Sequence, residues 1–212
     1  MCTLQSLYLS NNKLNGEFSS FFQNSSWCNR HIFKTLILTY NRISGMLPES
    51  IGLLSELEHL SLDGNSLEGD VTQSHFSNFS KLEYLYLSEN SLSLKFEPNW
   101  VPPFQLLGLG LVSCKLGPTF PSWLKTQSSL YHLDISDNGI NDSVPDWFWN
   151  NMQNILLLNM SHNYLIGAIP NISLKHLKKA SVFPNSNQFE GKIPSFLLKA
   201  SELVLRNNGL MG

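Results

Sequence analysis

The feature that most constrains this chain is a spacing. Leu4, Leu7, Leu9, Asn12 and Leu14 spell L-x-x-L-x-L-x-x-N-x-L, and the frame recurs along the sequence. It returns at Phe33, Leu36, Leu38, Asn41 and Ile43, at Leu57, Leu60, Leu62, Asn65 and Leu67, and at Leu82, Leu85, Leu87, Asn90 and Leu92. It continues at Leu106, Leu109, Leu111, Cys114 and Leu116, at Leu130, Leu133, Ile135, Asn138 and Ile140, and at Ile155, Leu158, Met160, Asn163 and Leu165. An eighth frame keeps only Val182, Asn187 and Phe189, and a ninth holds Ala200, Leu203, Leu205, Asn208 and Leu210. From one Asn position to the next the steps are 29, 24, 25, 24, 24, 25, 24 and 21 residues. A unit this short cannot bury its apolar face alone, so the units must stack.

The spacing predicts the geometry of each unit. L-x-L is a short strand whose alternate side chains point inward, onto the leucines of the neighbouring turns. The Asn stands where the chain leaves the strand, and its amide can satisfy backbone groups stranded by the bend. Cys114 takes that place in the fifth frame and reads as a buried structural thiol. Beyond the Asn come Gly45-Met46-Leu47-Pro48, Gly167-Ala168-Ile169-Pro170 and Gly191-Lys192-Ile193-Pro194, with Ser143-Val144-Pro145 as a weaker copy. Glycine permits the turn and proline delays any helix. Ile51, Leu54, Trp147, Phe148 and Met152 then anchor short 3₁₀ or helical turns. The expected fold is a curved, right-handed α/β solenoid, one domain over residues 1–212, with a parallel sheet lining the concave side. Residues Lys175 to Ser186 are the expected defect, because Lys179 and Pro184 fall on inward positions and proline removes a ladder donor.

A net charge of -2 points away from nucleic acid and acidic membranes. No stretch has the roughly 18–20 apolar residues of a membrane span, so no direct membrane contact is expected. MCTLQSLYLSNN lacks the basic and apolar regions of a secretory signal. Three cysteines, Cys2, Cys28 and Cys114, do not make a disulfide framework; Cys2 and Cys28 lie in adjacent turns, either paired or free.

No converging nucleophile, base and orienting group is visible. His59 and His132 are three frames apart, too far to share a metal, and Gly108-Leu109-Gly110 lacks the third glycine of a dinucleotide loop. The chain is therefore read as a non-enzyme without cofactor or metal. Binding is the better question. Outward strand positions line the concave face, with Tyr8, Ile37, Ser61, Tyr86, Gly110, Asp134 and Asn159 as the central column. Tyr84, Tyr86, Tyr131, His132 and Asp134 form its densest patch of aromatic area with polar tips. N-x-[ST] sequons occur at Asn24, Asn78, Asn141, Asn159 and Asn171; they are glycan sites only if the chain is secreted.

These residues carry a resemblance. With the frame LxxLxLxxNxLxGxIP, and in SLYLSNNKLNGEF, LDISDNGINDSVPDWFW and LLNMSHNYLIGAIP, the chain resembles the extracellular leucine-rich repeats of plant receptors. The resemblance is to membrane-anchored receptor-like proteins of the ethylene-inducing-xylanase-receptor type. It implies a protein or peptide ligand in defence perception, a partner receptor kinase as co-receptor, and a place on the outer side of the plasma membrane. Such receptors have a signal peptide, a cysteine-bearing cap, many repeats and one span. The chain reads as a middle portion, its end turns expected to expose core leucines. Two other readings stay open. One is a soluble inhibitor resembling polygalacturonase-inhibiting proteins, which a cationic concave face would favour and this neutral, tyrosine-rich one does not. The other is a truncated product with no function of its own.

Overall fold

The computed structural model describes residues 3–23, 32–172 and 177–212. Within them nine short strands form one parallel sheet: Ser6–Tyr8, Thr35–Ile37, His59–Ser61, Tyr84–Tyr86, Gly108–Gly110, His132–Asp134, Leu157–Asn159, Ser181–Phe183 and Glu202–Leu203. Each pairs with the strand of the next repeat. The register stacks Leu36, Leu60, Leu85, Leu109, Leu133, Leu158 and Val182 in a single buried row. This is the α/β leucine-rich solenoid that the spacing predicts, with strand leucines as its core.

The segments after each Asn build more than turns. Asn15–Glu17, Arg42–Met46, Ser66–Val71 and Ser91–Leu94 form a second parallel sheet, and Ile166–Ala168, Gln188–Lys192 and Gly209–Met211 a third. These lateral strands are interrupted through the fifth and sixth repeats, where Gly117 lies against the backbone of Gly139. The opposite side is closed by helices Phe18–Gln23 and Asp146–Asn151 and by 3₁₀ turns such as Glu49–Leu53 and Ser122–Thr126. Ile51, Leu54, Phe148 and Met152 plug the core there, and Trp147 is half-buried.

The asparagines do the work expected of them. Asn41 donates from Nδ2 to the carbonyls of Leu9, Leu38 and Thr39, at 2.8, 3.0 and 3.2 Å. Its Oδ1 accepts the Leu14 N–H at 3.1 Å. Asn65, Asn90, Asn138, Asn163, Asn187 and Asn208 repeat the pattern. Cys114 reproduces part of it, its Sγ donating to the Leu87 carbonyl at 3.4 Å.

A second column is invisible in the frame. The residue before each Asn position has a left-handed backbone: Asn11, Tyr40, Gly64, Glu89, Ser113, Asp137, His162, Ser186 and Asn207, all with φ between 54 and 62°. L-residues resist that region. Glu89→Gly is therefore expected to raise stability by about 0.5–1 kcal/mol if relief of strain outweighs the added chain entropy; a lower midpoint in urea would show that entropy wins.

The segment expected to be defective behaves differently. Ser181–Phe183 pairs in register with Leu157–Asn159 on one side, and Ser181 and Val182 pair with Glu202 and Leu203 on the other. Ala180, one place after Lys179, supplies the buried first position. Pro184 falls just beyond the strand, and its carbonyl accepts from Asn187 and Asn208 at 3.2 and 3.0 Å. The proline costs one donor and leaves the sheet continuous; Lys175 and His176 lie outside the described residues. At the ends of the stack Leu4 is 54% exposed, and Leu203, Leu205 and Leu210 are half-buried.

Candidate functional site

The concave face carries one built feature. Tyr84 and Tyr86 point outward from their strand, and the register sets them opposite Gly108 and Gly110. With no side chains there to hold them upright, both rings lean across the glycine strand. A Cβ on Gly108 would overlap the Tyr86 hydroxyl and approach Tyr84 Cδ1 to 2.9 Å; on Gly110 it would approach Tyr86 Cδ1 to 2.7 Å. The rings thus reach the sixth repeat. Tyr84 and Tyr131 share a hydroxyl–hydroxyl hydrogen bond of 3.1 Å. Tyr86 meets His132 edge to face, ring centroids 5.7 Å apart. On the other side His59 packs on Tyr84 at 5.0 Å and on Tyr86 at 5.8 Å. Spanning three strand intervals of about 4.8 Å, His59, Tyr84, Tyr86, Tyr131 and His132 make a continuous aromatic platform whose neighbouring rings are tilted by 30 to 73°.

Four of the five residues singled out from the sequence, Tyr84, Tyr86, Tyr131 and His132, therefore meet. Asp134 borders them as part of a polar ladder. Its Oδ1 accepts from the Ser136 backbone and hydroxyl at 3.0 and 2.6 Å, and its Oδ2 from Asn159 Nδ2 at 2.9 Å. Asn159 Oδ1 in turn accepts from the Ser161 hydroxyl at 2.7 Å. Asp63 is held similarly by the Ser61 hydroxyl and the Ser88 N–H, at 2.9 and 2.7 Å. The sequence reading set Gly110 in the central column but gave neither it nor Gly108 a part in the patch itself. The available signal was two glycines at successive outward positions, where something else must approach the backbone.

The platform carries no formal charge near neutrality. Burial pushes the Tyr86 phenol up to about 12, with help from Tyr131, Tyr84 and Asp63. Burial also lowers both imidazoles below 6.5, and at His132 the Asp134 carboxylate opposes part of the shift. The linkage follows. Below pH 6.5 the unfolded chain binds protons that folded His59 and His132 refuse, so stability is full above that value and falls as pH drops toward the lowered pKa values. Thermal melts at pH 7.5 and 5.5 are expected to differ more for the wild type than for His59→Gln/His132→Gln. Equal pH slopes would show that other groups carry the dependence.

The sequon asparagines Asn78, Asn141 and Asn171 are exposed, whereas the amide of Asn159 is engaged in the polar ladder. Asn24, Cys2 and Cys28 lie outside the described residues. Cys114 is buried, and burial raises its thiol to about 12, the state of an unreactive core group. Among the described residues no group of three or more His, Cys, Asp or Glu could hold a metal ion.

Strand stack, asparagine ladder and parallel concave sheet define a leucine-rich-repeat domain. The Leucine Rich Repeat family pattern matches residues 3–25, 33–54, 81–102 and 129–151. The chain's repeats are similar to those of plant receptor-like proteins. It is 39% identical over 145 residues to receptor-like protein EIX2 of Solanum lycopersicum, covering 68% of this chain and 14% of that protein. It is 41% identical over 128 residues to EIX1 of the same plant, covering 60% and 12%. Receptor like protein 27 of Arabidopsis thaliana is 34% identical over 195 residues, 89% of this chain and 23% of the relative. The chain thus spans less than a quarter of the length of each. Among solved structures, a TDR receptor superposes with TM-score 0.77 at 27% identity, covering 98% of this chain and 35% of the receptor. The Arabidopsis receptor kinase HAESA ectodomain, in complex with an N-terminally extended IDA peptide hormone, gives 0.70 at 25%, covering 98% and 38%.

Proposed function

We propose that this chain is a non-catalytic part of a plant receptor-like ectodomain that recognises a protein or peptide through its concave face. The platform centred on Tyr84 and Tyr86 is the anchor in this reading. The observation that carries it is the seating of those rings over Gly108 and Gly110. Aromatic area held in place before binding loses little side-chain entropy on contact, which is what a recognition surface needs. The similarity to the receptor-like proteins EIX1 and EIX2 supports a receptor role; perception at the outer side of the plasma membrane, with a receptor kinase as signalling partner, is what the resemblance implies. The peptide hormone in the HAESA complex supports a peptide ligand. Asn78, Asn141 and Asn171 would then bear glycans away from the concave face. The inhibitor reading gains nothing from this surface, which lacks the cationic patch it calls for.

The test is panning of a random dodecapeptide display library on the purified chain, beside a Tyr84→Ala/Tyr86→Ala variant. Tyrosines lying on the surface should cost little stability when removed, whereas anchor residues typically carry more than about 2 kcal/mol of binding. Selected peptides are therefore expected to bind the variant about 30-fold more weakly or worse. Equal binding to both proteins would place recognition elsewhere on the solenoid.

A further inference from the structure

We propose that the platform takes a basic segment, with Lys or Arg side chains laid across its rings; this rests on the recognition reading above. The charges around the rings carry the inference. In the third to sixth repeats, over residues 58–64, 83–89, 107–113 and 131–137, stand Glu58, Asp63, Glu83, Glu89, Asp134 and Asp137, and no Lys or Arg. Only Glu58 has a cationic partner among the described residues, Lys34 of the second repeat at 2.8 Å. Asp63 and Asp134 are satisfied by hydroxyls and amides, which orient a carboxylate without neutralising it. Asp137 accepts from the Ser113 hydroxyl at 2.6 Å, and Glu83 and Glu89 are exposed.

Two independent features therefore select the same chemistry. Neutral aromatic faces attract a cation through their quadrupole, and more strongly as water is excluded. The surrounding carboxylates raise the local concentration of cations and repel anionic segments. A compact metal ion is a poorer fit, because the carboxylates are spread over three repeats and no three ligating groups cluster among the described residues. An extended basic peptide can run across the strands, placing a cation on the rings while its neighbours meet the carboxylates on either side.

The same display selection tests this through the composition of what it returns. Peptides that bind the wild type but not the Tyr84→Ala/Tyr86→Ala variant are expected to be rich in Lys and Arg. Their affinity is expected to fall about two- to fivefold for each carboxylate removed in Glu83→Gln/Glu89→Gln/Asp137→Asn. These three side chains lie outside the core and the aromatic platform, and an unchanged melting temperature confirms that the variant is folded. Binding should also weaken steeply between about 0.05 and 0.5 M salt. Tyrosine-dependent peptides without basic residues, or ones indifferent to the triple substitution, would overturn the proposal and leave the recognition reading standing. A selection that returns no tyrosine-dependent peptide would overturn both.

Discussion

Asn163→Ala is expected to lower the unfolding free energy by about 4 kcal/mol, and the melting temperature by about 10 °C. Asn163 is 4% exposed. Its Nδ2 donates to the carbonyls of Ile135 and Met160, at 3.0 and 3.1 Å, and its Oδ1 accepts the N–H groups of Asn138 and Ile140, at 3.0 and 3.1 Å. Truncation to a methyl leaves those groups buried without a partner, each costing about 1–3 kcal/mol unless water enters. One side chain here links the backbone of consecutive turns, so its removal weakens the coupling between repeats as well as one repeat. Asn12→Ala is the matched control: that amide donates to the carbonyls of Leu9 and Ser10 at an exposed turn, at 3.1 and 3.1 Å, where water can replace it. Its expected cost is under about 1 kcal/mol. Urea melts of the two variants decide the point, and losses of similar size would mean that the ladder is not what binds turn to turn. The fifth repeat already shows a natural weakening, since the Cys114 thiol donates to Leu87 but brings no amide oxygen to accept a backbone N–H.

The solenoid was legible because its cause is periodic. Leucines at fixed spacing leave one way to close a core, and the Asn position declares where each strand ends. The lateral strands were not legible, because Asn15–Glu17 and Ile166–Ala168 have exposed or half-buried side chains and no alternation to mark them. Their order comes from the neighbouring turn, whose backbone lies within hydrogen-bond reach once the leucines have stacked. The left-handed column is hidden for a related reason: Tyr40, Glu89 and His162 are poor predictors of positive φ, and the bend is imposed by the Asn that follows. At Lys179 and Pro184 the sequence overstated the damage, because a shift of one residue puts Ala180 inside. For the site, the sequence placed Tyr84, Tyr86, Tyr131 and His132 on one face. It could not show that Tyr84 and Tyr86 lean over the glycine strand, since that depends on what the adjacent strand lacks. Read as a failed nucleotide loop, Gly108-Leu109-Gly110 was in fact the seat of the platform.

Gly117→Ala should be damaging on the same scale, while Gly108→Val, nine residues away in sequence, should barely change stability. Both would bring side-chain carbon into occupied space, but the occupants differ. At Gly117 the new Cβ would overlap the carbonyl oxygen and carbon of Gly139 and approach the Ile140 nitrogen to 2.9 Å. These are backbone atoms of the next turn, pinned by Gly117 N–H to Asn138 O at 3.1 Å and Asn141 N–H to Pro118 O at 2.8 Å. No rotamer relieves the overlap, so turns five and six must separate, at a cost expected to exceed about 3 kcal/mol. At Gly108 the overlapped atoms belong to the rings of Tyr84 and Tyr86, which can swing outward about χ1 into solvent. Stability should then change by less than about 1 kcal/mol, while the platform loses its seated form over the glycine strand and its reach to Tyr131 and His132. If recognition depends on that form, Gly108→Val weakens tyrosine-dependent peptides about tenfold or more with both tyrosines still present. Unchanged binding by folded Gly108→Val would mean that the rings contribute area alone, and that their seating over the glycines serves only to cover the strand.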